Sequence, residues 1–130
     1  MYGIILLIVL LKTFKMKNLR YSIIYAVIRP EISEQVSVGI IIIVGEEIDV
    51  RYSSDKLNAL KGLLPDKKRS FITQVVSSLK DNKAVDSVEA VNYLSRYSNN
   101  LICVSPIQAV DVPPTEENKQ WLYRNYVCDK

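Results

Sequence analysis

The chain is predicted to be an α+β domain, with an antiparallel sheet packed against four helices. The sheet is a three-stranded N-terminal meander plus one or two later strands. Three observations point there. The run Val36-Ser37-Val38-Gly39-Ile40-Ile41-Ile42-Ile43-Val44 is dense in β-branched residues. A second apolar run, Ser22 to Ile28, precedes it across a polar turn. Beyond Ser53 the apolar residues switch to helical spacing.

Arg20 to Ile28 is the first strand, stopped by Arg29-Pro30-Glu31 because proline cannot donate to a ladder and restricts the residue before it. Val36 to Val44 is the second, and Gly39 inside it signals a bulge or a close backbone approach. Gly45-Glu46-Glu47 turns the chain, and Ile48-Asp49-Val50-Arg51-Tyr52 alternates as a strand with one wet face. Ser53 or Ser54 caps a helix whose Leu57, Leu60, Leu63 and Leu64 share a face; Pro65 ends it. Asp66 caps the next, where Phe71, Ile72, Val75, Val76 and Leu79 form an amphipathic stripe. Asp81-Asn82-Lys83 is a turn, and a third helix aligns Val88, Val91, Leu94 and Tyr97. Ser98-Asn99-Asn100 breaks it, Leu101 to Val104 returns to strand, and Ile107 to Val110 adds a short one. Pro113-Pro114-Thr115-Glu116-Glu117 opens the closing helix, with acids at the positive end of its dipole. That helix runs to about Tyr126 and is expected to bury Trp121, Leu122 and Tyr126.

The first two strands are apolar on both faces, so both faces must be covered. Helices gathered on one side would leave the other to the leader, a second copy or a protein partner, since a half-bare sheet with four consecutive isoleucines is an aggregation hazard. Self-association or a bound partner is therefore expected.

Composition narrows the chemistry. At 130 residues, with 48% hydrophobic and 24% charged residues, the chain is of ordinary globular make-up. It contains no histidine, which removes the usual proton-transfer residue at neutral pH and the commonest transition-metal ligand. Its two cysteines, Cys103 and Cys128, form no CxxC pair and read as free thiols of a reducing cytoplasm. No glycine-rich phosphate loop or nucleophile motif occurs, and no cofactor is called for. The net charge is +3; removing Lys12 and Lys15 of the leader leaves +1 from Met16 onward, too little to favour nucleic acid. The one basic cluster, Lys67-Lys68-Arg69, reads as a solvated helix face.

Met1 to Lys15 is an apolar leader, shorter than the roughly 20 apolar residues that span a bilayer. It also lacks the charge order and cleavage site of a secretory signal. Residues 1–15 therefore read as a mis-set start or non-core extension, and 16–130 as a single cytoplasmic domain without an integral membrane span.

The candidate binding residues are Arg29, Glu34, Ser37 and Gly39, on and beside the loop between the two central strands. No catalytic or metal-binding residue stands out. The residue types favour a non-enzymatic protein-interaction module over an enzyme. The alternative is a metal- or phosphate-dependent, nuclease-like enzyme using the Arg29–Glu34 loop, for which Glu31, Glu34 and Asp49 are the only acid set available.

Tyr21-Ser22-Ile23-Ile24-Tyr25-Ala26-Val27-Ile28-Arg29-Pro30, followed by Glu34 and Val38-Gly39-Ile40, resembles the opening of the bacterial domain of unknown function 3037 family. Leu101 to Gln108, Val112-Pro113 and the helix ending Tyr126-Val127 resemble that family's later strand, Ser-Pro turn and terminal helix. The resemblance covers roughly residues 19–127 and departs at Ser37, where the family usually carries asparagine. It implies no assigned activity. Genes of the family often neighbour those of HipA-like kinases, which implies an accessory role beside such a kinase.

Overall fold

The β-branched runs form the two longest strands, β1 (Leu19–Arg29) and β2 (Glu34–Val44), paired antiparallel across a 3-10 turn at Pro30–Ile32. In this computed structural model residues 18–81, 85–97 and 99–129 are described; the leader 1–15 lies outside the described residues. Gly45, at φ 60°, takes the left-handed corner of the hairpin into β3 (Glu47–Tyr52). The chain then forms α1 (Ser54–Ala59), α2 (Asp66–Asp81), α3 (Val88–Arg96), β4 (Ile102–Val104), β5 (Gln108–Val110) and α4 (Glu116–Tyr126). The strands make one antiparallel sheet in the order β3-β2-β1-β4, with β5 also on β1. Ser105 bridges the break before Pro106: its hydroxyl accepts from the Ile23 N–H at 2.8 Å. The architecture is the α+β fold expected, meander included.

A bulge at Val38 sets which residues face which side. Ile24 pairs with Gly39 but Tyr25 pairs with Ser37, so one residue of β2 has no opposite number. Parity resets there, and Val38, Ile41 and Ile43 join Ile24, Ala26 and Ile28 on one face. Ile40 and Ile42 join Leu19, Tyr21 and Ile23 on the other. Gly39 is glycine for want of room. A Cβ there would lie 2.9 Å from the Arg51 carbonyl oxygen and 3.2 Å from both Ile24 Cδ1 and Tyr52 Cβ.

Helices α1 to α3, with the 3-10 turn that follows α1, cover the first face through Leu57, Leu60, Ile72, Val76, Leu79 and Val91. Ser53 and Ser87 cap α1 and α3 by accepting the N–H groups of Lys56 and Ala90. Two expectations fail in detail. The first helix tightens into a 3-10 turn at Leu60–Gly62, which rotates the later leucines; Leu64 is buried and Leu63 exposed. In α2 the stripe narrows to Ile72, Val76 and Leu79, leaving Phe71 at the surface.

The second face is packed by Leu122 of α4 and Val127 just beyond it. Ile40, Ile41, Ile42 and Ile43 are all 0% exposed within a single chain. This overturns the argument that a second copy or a partner is needed to hide the sheet. Among the described residues no helix is long and apolar enough to cross a membrane.

Candidate functional site

The candidate residues of the β1–β2 region separate into different roles. Arg29 and Glu34 face each other across the turn, Nε to Oε1 3.8 Å, both well exposed. Such a pair contributes about 0–1 kcal/mol, and here it braces a turn whose Ser33 sits at φ 56°. Ser37 instead serves the bulge. Unpaired backbone groups must find partners, and the start of α1 provides them: the Ser53 N–H donates to the Val38 carbonyl at 2.8 Å. Lys56 Nζ donates to the Ser37 carbonyl at 2.7 Å and the Ser37 hydroxyl at 3.0 Å. Burial holds the Lys56 amine below its ordinary pKa. Gly39 is a packing position.

The acid set of the nuclease-like alternative is not assembled. Asp49 is bound to Arg51 at 2.8 Å and Glu34 to Arg29. Among the described residues no three histidine, cysteine, aspartate or glutamate side chains are grouped to hold a metal ion. Lys67, Lys68 and Arg69 occupy the first turn of α2, and both cysteines are free thiols.

The arrangement best suited to recognition lies on the α4 face. Thr115 caps α4 by accepting the Asn118 N–H at 3.1 Å. Arg51 ties the start of the helix to the β3 edge, reaching Glu116 at 3.0 Å while holding Asp49. Burial opposes the charge on Arg51, but hydrogen bonds to Glu116 and Asp49 outweigh it and leave its pKa above the ordinary value. At the far end Tyr126 stacks on Tyr21, ring centroids 5.2 Å apart and planes at 22°. Trp121 meets Tyr126 edge-on at 6.5 Å. The Tyr21 hydroxyl donates to Gln108 Oε1 at 2.9 Å, which locks the base of the stack to β5. Burial, then the neighbouring Tyr126, pushes the Tyr21 phenol up to about 12.

This corrects the expectation that Trp121 and Tyr126 are buried. Trp121 is 50% and Tyr126 37% exposed, whereas Leu122 is fully buried. The signal was present in the spacing. Consecutive helical residues point about 100° apart, so a narrow contact with the sheet centred on Leu122 leaves Trp121 on the flank. The smaller branched side chain joins the buried cluster that holds Ile40 and Ile42, and the indole stays half exposed. No protein-family model matches the chain, and no curated protein or solved structure matches it either.

Proposed function

We propose that this chain is a non-enzymatic, cytoplasmic interaction module that docks a protein partner through the aromatic surface of α4. The observation that carries the reading is Trp121, half exposed and held edge-on against a Tyr126–Tyr21 stack anchored by Gln108. Tryptophan and tyrosine dominate binding energy at protein interfaces. Rings already fixed by one another lose little freedom on docking, so more of the contact energy appears as affinity. The resemblance to the domain of unknown function 3037 family supports a bacterial setting and makes a HipA-like kinase the first partner to try.

The test is affinity purification of the tagged full chain from its native host, side by side with a Trp121→Ala/Tyr126→Ala variant, with quantitative mass spectrometry. A stoichiometric protein retained by the wild type and depleted at least tenfold by the variant supports the reading. Unchanged recovery, or a wild-type chain that emerges alone at micromolar concentration, rejects it.

A further inference from the structure

A second exposed aromatic pair stands at the end of α3, Tyr93 on the helix and Tyr97 as the extended residue that caps it. Tyr93 and Tyr97 are each 63% exposed, and their rings lie 4.6 Å apart with planes tilted by 36°. With Glu89, Asn92 and Arg96 they border one open recess of about 330 Å³. Glu89, Asn92, Tyr93 and Arg96 follow the i, i+3, i+4, i+7 spacing of one helix face, and the ring of Tyr97, just past the helix end, lies against Tyr93 beside it. Glu89 opens that face in the first turn and Arg96 closes it in the last. Seven residues separate them, a rise of about 10 Å, beyond the i, i+4 reach at which they would neutralise each other. The ion pairs among the described residues are those of Arg29 and Arg51, so neither charge is matched there.

We infer that this face of α3 is a two-fold, self-complementary docking surface for a second copy of this chain. Laid antiparallel about a point between Asn92 and Tyr93, two α3 helices bring Glu89 of each copy opposite Arg96 of the other. Tyr93 of each copy lies at the centre with the Tyr97 ring packed against it, and the helix dipoles oppose. A parallel arrangement sets like charges against each other. An isologous contact of this kind closes on itself and stops at a dimer. The tyrosine rings constrain each other, which lowers the ordering cost of docking. A helix of nine residues covers much less than a standard interface, so the dimer is weak and reversible, with a dissociation constant on the order of 10–500 µM. This surface is separate from that of Trp121, and the inference goes beyond the function proposed above.

The experiment is sedimentation velocity on the full chain from about 5 µM to about 1 mM. The wild type is expected to shift from monomer to dimer and to stop there. Glu89→Arg alone and Arg96→Glu alone each set like charges against like, and each is expected to weaken the dimer tenfold or more. Mixing these two variants restores opposite charges at both ends, so the mixture forms a heterodimer at the wild-type concentration. Circular dichroism confirms that both variants keep the fold, as exposed positions should. Tyr93→Ala serves as a second route and also weakens the dimer at least tenfold. A wild type that stays monomeric to 1 mM, single variants that associate like the wild type, or a mixture that stays monomeric overturns the inference. None of these outcomes bears on the Trp121 surface, whose test follows a different protein and different residues.

Discussion

The two faces of the sheet are closed in different ways. Three helices lie on one face, and what they bury against Ile24, Ile41 and Ile43 is almost wholly apolar. The other face is closed by one helix that puts Leu122 into the core, followed by Val127. The rest of that closure is polar and aromatic: Arg51 to Glu116, Lys56 to Ser37, Tyr21 to Gln108 and the stack on Tyr126. A sheet face under interdigitated aliphatic groups commits its own side chains to the core, so docking on that side is left to the outer surface of the covering helices, as at Tyr93 of α3. One held by a single leucine and a rim of aromatics keeps part of its contact energy available at the surface. The two sides of the sheet are therefore closed by different chemistry, aliphatic packing on one and a single leucine with an aromatic and polar rim on the other.

Core truncations test this division most strongly. Ile72→Ala and Leu122→Ala each remove a fully buried side chain. We expect losses of about 3–5 kcal/mol for Ile72 and about 2–4 kcal/mol for Leu122 in urea unfolding. Their hydrogen-exchange patterns should differ in kind. Truncating Ile72 lowers protection throughout, whereas truncating Leu122 releases the 116–126 amides first and spares those of α2. Equal effects on both helices would mean that the faces are one cooperative unit.

Gly39→Ala comes next. Its added methyl meets the Arg51 carbonyl oxygen at 2.9 Å and pries β3 from β2. A loss of about 1–3 kcal/mol follows from overpacking. Unchanged stability would contradict the close approach.

The aromatic side also carries a pH signature. The folded chain holds the Tyr21 proton to about pH 12, and the unfolded chain releases it near 10.0. Its contribution is complete below pH 10.0 and drains away as pH climbs toward 12. After allowance for solvent around the half-open stack, the loss is about 1–2 kcal/mol. Urea midpoints measured across that range should fall for the wild type and fall less in Tyr21→Phe, where the Tyr123 phenol, also raised by burial, keeps part of the slope.

The smallest effect is expected on the apolar face. Ser22 is fully buried there, with its hydroxyl unpartnered among the described residues. Ser22→Ala removes that stranded group and should raise stability by about 0.5–1 kcal/mol. A destabilised variant would reveal a hydrogen bond to this hydroxyl.

Much of the fold was legible because its signals are local. β-branched runs, a proline stop, the Gly45 turn and serine and threonine caps each act through neighbours a few residues away. The meander, the positions of the helices and the bulge near Gly39 follow from them. Trp121 departs from expectation because hydrophobicity states what a residue would gain by burial, not whether a slot exists. Leu122, one residue away, took the slot. The four candidate residues around the β1–β2 loop are close in sequence, yet Ser37 serves Lys56 and Gly39 makes room for the Arg51 carbonyl, both distant along the chain.

Residue order was enough to set the strands, the helices and the surplus of apolar surface on β1 and β2. How that surplus is covered was decided only when the chain came back on itself. The last helix, some 70 residues after β2, closes over the second face and makes an outside partner unnecessary for burial. Local patterns specify elements because they concern adjacent backbone and side-chain geometry. Burial and docking surfaces depend on which distant side chain arrives first to fill a given space, and that is a property of the packed whole.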